Sequence, residues 1–388
     1  MRIRVVTLNA WGLPEPFAAD VEPRMDAIAA AIPALEADVI AFQEIFSSYG
    51  SRRLVEAGRS AGLVNAWHRG ASIGSSGLLV LSRLPIERVD FERYDFRGHP
   101  DRLAKGEYLS GKGFARVRLG TEAGPLTILN THLHARYSSI AEHQYRPHRI
   151  GQIVQLARRS ADTTHPILAL GDFNFVESDP EHAVLSGLTG MRDVAAQLDQ
   201  RSATAQRSNP YRQGSNKPDR RIDYVFARDG ASVGVSPLSV RPAFDGRVSL
   251  AGRSLAYSDH AGVMADLEVG SGLGERQRLP AFDAVALASS LLAEGRAEAE
   301  RLRSGDRRLA GLAVGCAALA SAGTRRGRLS RRGFLRSALQ GASLAALAPA
   351  VGFGVLSEVY RPDEIGTFRD AAEHLAFLEQ KLHELLPS

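Results

Sequence analysis

Cysteine is almost absent from this chain: Cys316 is the single one in 388 residues, which excludes a disulfide framework and any thiolate metal cluster. Lysine is nearly as scarce, four of the 48 basic residues, a bias read here as coding composition rather than function. The start of the chain lacks an apolar run of signal-peptide length. Residues 1–8, Met-Arg-Ile-Arg-Val-Val-Thr-Leu, alternate instead as a strand does, so no N-terminal export signal is expected. Neither sign of charge is in large excess, since 48 basic and 43 acidic side chains leave +5, and residues 1–270 alone net only +2. What is present is ordinary globular usage, 44% hydrophobic and 23% charged, which excludes wholesale disorder, a collagen and a polytopic transporter. The length allows two or three domains with a core of normal size.

Short apolar, β-branched runs recur at 2–8, 38–43, 77–82, 114–119, 126–131, 166–170, 222–227 and 263–269. Helical patterning covers 24–36, 51–62 and 140–160, the last with Ile150, Ile153, Val154 and Ala157 on one face. Many strands with few, scattered helices imply an α/β architecture of two packed sheets with helices outside. Residues 200–220, rich in Ser, Asn, Pro, Gln and Arg without periodicity, read as a long surface loop. After a Gly-rich stretch at 270–274 the strand signal stops and Ala, Leu, Glu and Arg recur at helical period. Two regions follow: 1–270, and a mainly helical 271–388.

The second region carries the strongest local field, ten arginines against one acid, Asp306, within 301–336. Two uncharged apolar stretches lie in it. Residues 309–323 are too short to cross a bilayer, whereas 337–357 approach the length of a transmembrane helix but contain Gln340 and Pro349. With six arginines at 325–336 between them, these stretches suit a membrane surface with anionic headgroups, as one span at 337–357 or as a hairpin in the interface; a buried soluble hairpin is the alternative.

Six polar clusters sit at the ends of expected strands: Asn9 in Asn9-Ala10-Trp11-Gly12, Glu44 after Gln43, His132 and His134 in Thr131-His132-Leu133-His134, Asp172 and Asn174 in Gly171-Asp172-Phe173-Asn174, Asp223 in Arg221-Ile222-Asp223-Tyr224, and Ser258-Asp259-His260. Each alone has an ordinary explanation as a turn former, a helix-start carboxylate or a core histidine. Together they make a kit. Oxygen donors from Asn9, Glu44 and Asp259, without cysteine, suit Mg²⁺ or Mn²⁺. Such an ion polarises a phosphoryl oxygen. His260 can then act as general base with Asp223 holding its other ring nitrogen. His132 and Asn174 can donate to the non-bridging oxygens where charge grows.

The ordered set Asn9, Gln43-Glu44, Gly171-Asp172-Phe173-Asn174, Asp223 and Ser258-Asp259-His260 resembles the endonuclease/exonuclease/phosphatase superfamily, over about residues 1–270. That resemblance implies a four-layered α/β-sandwich. Asn9-Ala10-Trp11-Gly12-Leu13-Pro14, Ser110-Gly111-Lys112-Gly113, Thr131-His132-Leu133-His134-Ala135-Arg136-Tyr137 and Arg221-Ile222-Asp223-Tyr224-Val225 are most similar to the neutral sphingomyelinases. It implies Glu44 as principal Mg²⁺ ligand with Asn9 and Asp259 beside the metal. Asp172 and Asn174 would handle the attacking water and the phosphate, and His260 with Asp223 the proton. The functional histidine is left open between His132 and His134, with His132 preferred. Lys112 and His134 are the further candidates for contact with substrate.

Two motifs are set aside. Gly106 to Gly113 matches G-x-x-x-x-G-K, but Gly113 stands where a nucleotide-binding loop needs Ser or Thr and a strand follows, so no nucleotide site is expected. Ser330-Arg331-Arg332-Gly333-Phe334-Leu335-Arg336 resembles a twin-arginine export signal, yet 329 residues precede it, and it is taken as the basic flank of a membrane-facing helix. The expectation is thus a Mg²⁺-dependent phospholipase C-type phosphodiesterase acting on a phospholipid or sphingolipid, membrane-associated with its catalytic domain in the cytoplasm. The alternative is a nuclease or abasic-site endonuclease of the same superfamily. Binding a nucleic-acid backbone needs clustered cations, and a net of +2 over residues 1–270 argues for lipid.

Overall fold

A computed structural model describes residues 1–72, 74–99, 107–136, 145–213, 217–250, 252–271, 280–325 and 333–385. Its strands are β1 (Arg2–Gly12), β2 (Val39–Ile45), β3 (Asn65–His68), β4 (Leu79–Ser82), β5 (Ile86–Arg93), β6 (Gly113–Leu119), β7 (Leu126–His132), β8 (Ile167–Asp172), β9 (Arg192–Asp193), β10 (Asp223–Arg228), β11 (Val233–Ala243), β12 (Arg247–Leu250), β13 (Arg253–Ala256) and β14 (Gly262–Ser271). The helices are α1 (Val21–Leu35), α2 (Ser48–Ser60), α3 (Arg146–Ala161), α4 (Pro180–Thr189), α5 (Val194–Gln197), α6 (Phe282–Arg325), α7 (Gly333–Val355) and α8 (Arg361–Leu385). All eight expected strands are present. The start of the helix expected from 140, Gly106, the Gly-rich 272–274 and Arg326 to Arg332 lie outside the described residues.

Two six-stranded mixed sheets, ordered β11-β14-β1-β2-β4-β3 and β5-β6-β7-β8-β10-β9, pack face to face. Val5, Val39 and Val80 of the first meet Val117, Ile128 and Leu168 of the second in an inner core. On the outer face of the first sheet Val6, Leu8 and Phe42 receive Met25, Ile28 and Leu54 of α1 and α2. Ile150 and Ile153 of α3 and Leu185 of α4 cover the second sheet. This is the expected four-layered sandwich. Alternate residues of a buried strand serve opposite faces, so strands lined on both sides by apolar cores read as near-continuous hydrophobic runs.

The helical region docks on the α3–α4 layer and shares its core. Val285, Ala288 and Leu292 of α6 and Phe368 and Leu375 of α8 join the same apolar cluster as Phe96, Ile150 and Leu185. Close approach needs a glycine: a Cβ on Gly295 would lie 2.4 Å from Pro147 Cβ and 2.6 Å from the Phe368 ring. A buried ionic knot fastens the contact. Arg361 donates to Asp306 at 3.1 Å and to Glu364 at 3.0 Å. Glu364 lies 2.9 Å from His148 Nε2 and 3.2 Å from His99 Nδ1. Although burial pushes the Glu364 carboxyl up, its bonds with His148 and His99 hold it well below the ordinary glutamate range. Arg361 is 1% exposed, and Arg361→Ala takes the cation from buried Asp306 and leaves Glu364 to its two histidines, which is expected to cost about 3–5 kcal/mol of stability, read by denaturant unfolding of the full chain.

Helices α6 and α7 run side by side. Leu312, Val314 and Leu319 of α6 and Leu344, Leu347 and Val351 of α7 are exposed. Among the described residues no helix is long and apolar enough to cross a membrane, so the span expected at 337–357 is not found there.

Candidate active site

Strand directions gather the polar clusters. Strands β1 and β2 pair in parallel, as do β7 and β8, so Asn9, Glu44, His132 and Asp172 all end up at strand C-termini. Strand β10 runs antiparallel to β8 and opens at that end, with Asp223 in register with Asp172. Antiparallel β14 begins at Gly262, with one residue, Ala261, between it and Asp259-His260. Ligands of open α/β sheets commonly collect at such ends.

The backbone there is strained in the manner of functional sites. Glu44 (φ 61°), Trp11 (φ 48°) and Asn174 (φ 55°) are all left-handed, conformations that cost non-glycine residues of the order of 1–3 kcal/mol each. Gly171, at φ 151°, passes so near β7 that a Cβ would sit 1.9 Å from the Thr131 carbonyl oxygen. Buried Arg24 braces the end of β1, donating to the carbonyls of Ala10 and Trp11 at 2.7 Å each. Between the sheets beneath the site, Gln43 Nε2 donates to Asn130 Oδ1 at 2.8 Å, and Asn130 Nδ2 donates to Phe42 O at 3.1 Å.

The side chains meet as one network. Asn9 Nδ2 donates to Glu44 Oε1 at 3.1 Å and to Asp172 Oδ2 at 3.0 Å. The Asn174 backbone N–H donates to Asp172 Oδ1 at 3.0 Å, and its side chain to Leu133 O at 3.1 Å. Lys112 Nζ donates to Leu133 O and lies against His132 Nε2, each at 2.9 Å. Where Lys112 donates, Nε2 accepts and Nδ1 carries the proton; Asp172 Oδ2, 3.3 Å from the same nitrogen, favours the other tautomer. His132 Nδ1 is buried with no hydrogen-bond partner, 3.9 Å from Glu44. His260 Nδ1 donates to Asp223 Oδ2 at 2.8 Å, while its Nε2 stands 4.0 Å from Asp259.

Burial governs the charges. It raises Glu44 to about 7 against the pull of Lys112, and, with Asp223, raises Asp172 to about 6. It takes His132 well below the ordinary histidine value, aided by Lys112, so His132 is neutral near pH 7. Burial also opposes a charge on His260, but Asp223 and Asp259 outweigh it and lift His260 to about 10.

This is the arrangement of a family. A model of the endonuclease/exonuclease/phosphatase family matches residues 6–260. The chain belongs to that family. A Drosophila melanogaster relative, a neutral sphingomyelinase by name, is 29% identical over 277 residues, which cover 69% of this chain and 61% of the relative. An inositol phosphosphingolipids phospholipase C of Schizosaccharomyces pombe is 28% identical over 196 residues, 50% of this chain and 46% of the relative. The chain thus spans less than two thirds of either. Staphylococcus aureus beta toxin, whose crystal structure holds bound magnesium ions, has the same fold, with a TM-score of 0.53 and 16% identity over 68% of this chain and 99% of the toxin.

The family's donors fit a hard divalent cation. Glu44 Oε2 and Asp259 Oδ1 are buried carboxylate oxygens with no hydrogen-bond partner, a costly state that a cation relieves. Asp172, Asp223 and His260 also offer ligand atoms within 4.8 Å of one another, although His260 and Asp223 already share a hydrogen bond through Nδ1 and Oδ2.

Nine of the ten residues singled out from sequence converge here: Asn9, Glu44, Lys112, His132, Asp172, Asn174, Asp223, Asp259 and His260. His134 does not join the carboxylates. Its Nδ1 meets the Ala135 carbonyl at 2.9 Å and its ring stacks on Tyr145 at 4.1 Å, because β7 ends at His132 and the chain has left the strand by His134, so the two-residue period no longer holds it beside His132. Nothing in the sequence pattern singled out Arg24, at the start of the helix expected over 24–36, or Arg212 and Arg220 in the expected surface loop. Arg220 could have been noticed for its place three residues before Asp223.

Proposed function

We propose that the protein is a divalent-metal-dependent phosphodiester hydrolase of phospholipase C type, acting on a sphingomyelin-like phosphosphingolipid at a membrane surface. The observation that carries this reading is the convergence of the His260–Asp223 pair, the Glu44 and Asp259 oxygens and the donors Lys112, His132 and Asn174 at one strand-end cleft. Glu44, with Asn9 and Asp259, would hold Mg²⁺ or Mn²⁺, which supplies Lewis-acid polarisation of a phosphoryl oxygen. His260 Nε2 accepts the proton of the attacking water once the negative field around it, to which Asp259 contributes, is compensated; Asp223 keeps Nδ1 protonated and the ring aimed. In the tautomer that Lys112 favours, neutral His132 offers its unpartnered Nδ1–H, with Lys112 and the Asn174 amide, to oxygens that gain charge in the transition state. Asp172 orients Asn9 and Asn174 by accepting from both.

Names of relatives bring the lipid. The exposed leucines and valines of α6 and α7, together with the arginines that the sequence carries at 325–336, suit an interfacial hairpin on anionic lipid, with the catalytic region on the cytoplasmic face. The full chain with Mg²⁺ is expected to release a water-soluble phosphorylated headgroup from vesicles of sphingomyelin or inositol phosphosphingolipid, to stop in EDTA, and to leave plasmid DNA intact. Plasmid nicking without lipid turnover would assign it to the nucleases of the family, and full activity in EDTA would overturn the metal.

A further inference from the structure

A cluster of cations rims the mouth of the site and has no part in the chemistry above. Arg136, just beyond β7, donates to Asp179 Oδ2 at 2.7 Å. Arg212 closes the short 3₁₀ turn Pro210–Arg212 and reaches Asp259 Oδ2 at 3.5 Å. Lys217 Nζ donates to the Arg136 carbonyl at 3.1 Å. Arg220, held by a backbone bridge to Ala205, stands three residues before Asp223. A loop that would ordinarily wave its charges in solvent is instead folded back onto the site.

The four sit close enough to act on one another. Burial and then Arg220, Arg212 and Arg136 lower the pKa of Lys217, and burial and then Arg212 and Arg136 lower that of Arg220. Asp172 is among the groups that pull Arg220 the other way, so the field of the cluster reaches the catalytic carboxylates. The Arg220 Nε is buried and has no hydrogen-bond partner. Like charges gathered at one half-buried point are costly to fold and favour an oxyanion, which can take charge-assisted hydrogen bonds from several of them.

The scissile phosphodiester carries one negative charge, which Lys112 and the cation that Glu44 and Asp259 would hold already answer. The cluster therefore calls for a second anion. A quaternary ammonium would meet the like charges of Lys217 and Arg220, Arg136 and Arg212 being paired with Asp179 and Asp259, and among the described residues the Arg24 guanidinium already lies 4.8 Å from the Trp11 ring centre and 5.5 Å from that of Tyr211. Four cations at one point also differ from the stripe that tracks a nucleic-acid backbone.

We propose that Arg136, Arg212, Lys217 and Arg220 form a subsite for a second, non-reacting oxyanion on the substrate's own headgroup, a phosphate monoester or carboxylate, in preference to choline. This rests on the phosphodiesterase reading and names the headgroup class within it. Sphingomyelin is then a slower substrate than a phosphosphingolipid whose headgroup ends in an anion.

The test uses the full chain with Mg²⁺ and three soluble p-nitrophenyl phosphodiesters that share an ethyl linker and end in phosphate, hydroxyl or trimethylammonium. The phosphate-ended ester is expected to show a kcat/KM about tenfold or more above the trimethylammonium ester, with a preference that shrinks as salt rises. Lys217→Gln should erase the preference through KM while leaving the hydroxyl-ended ester within about twofold of wild type, and Arg220→Gln should erase it too, read as the ratio of the phosphate-ended to the hydroxyl-ended ester because Arg220 also acts on Asp172. Equal or better use of the trimethylammonium ester overturns the proposal. So does an equal loss on all three esters, which would assign these cations to the scissile phosphate. Stimulation of the hydroxyl-ended ester by free inorganic phosphate would make a separate anion the occupant and remove the headgroup assignment. Failure of the parent reading has a different signature, no hydrolysis of any ester by wild type.

Discussion

Glu44→Gln is expected to lower turnover by at least about 100-fold and, in EDTA, to raise the melting temperature of the protein. Both effects have one cause. Gln keeps the volume of Glu44 and can still accept the Asn9 Nδ2 hydrogen bond, seen at 3.1 Å, but it removes the charge. In the metal-free protein that charge is a burden, since burial has raised the carboxyl to about 7. A carboxyl whose folded pKa lies above its unfolded value binds more protons in the folded state, so stability falls as pH rises from the ordinary glutamate range through about 7. An amide escapes this loss, and the gain over wild type should be largest above pH 7 and vanish near pH 4. The cation reverses the order by binding the native state of wild type alone with useful affinity. Paired melts with EDTA and with Mg²⁺ therefore separate a metal ligand from a merely buried acid: wild type gains from Mg²⁺ and Glu44→Gln does not. A variant that keeps its turnover, or that melts lower than wild type in EDTA, would deprive Glu44 of this role.

The same physics decides what could be read from the sequence. Strands buried on both faces, such as β2 and β8, are continuous apolar runs, and the polar residues that stop them stand out; that is why Glu44 and Asp172 were legible. Strand β5 was not, because a bulge between Ile86 and Arg88 breaks the period of two, none of its residues is fully buried, and Glu87, Arg88 and Arg93 are exposed. Strand β11 carries Pro237 and Pro242, which demote a run to an edge, and it is indeed an edge, with a register shift between Pro237 and Ser239. Helix α4 spans only ten residues, too few to establish a helical period.

The helical character of the tail was evident, but its attachment was not. Periodicity shows that a helix has an apolar face and says nothing of which neighbour receives it, and the knot of Arg361, Asp306, Glu364, His99 and His148 joins residues as far as 262 positions apart. Arg212 and Arg220 escaped for a related reason: a charge in a loop looks solvated until the loop is known to fold inwards. Strand ends, in short reach of one another by topology, announce themselves; loop residues brought to the same place by long-range contacts do not.

The His260–Asp223 pair should lose activity as one unit. Removing a general base costs about 10²–10⁴-fold, and His260→Ala should fall in that range. Asp223→Ala should lose a comparable amount although Asp223 touches no reacting atom in this scheme, because a His260 ring without its 2.8 Å partner at Nδ1 is free to rotate and to take the wrong tautomer. Truncation at Asp223 spares the backbone, whose N–H is held by Thr204 Oγ1 at 3.2 Å, so β10 should keep its register with β8. Once one member is gone the other has little left to contribute, and the double variant should be no worse than the poorer single one. The rates come from kcat on a soluble phosphodiester at saturating Mg²⁺, with circular dichroism to confirm the fold of all three variants. Losses that multiply would mean that Asp223 works apart from His260. Its second oxygen, Oδ1, is buried without a hydrogen-bond partner, and Asp223 as a residue has a ligand atom within 4.8 Å of ones on Asp172 and His260, so additivity would move Asp223 from orienting a base to holding the cation.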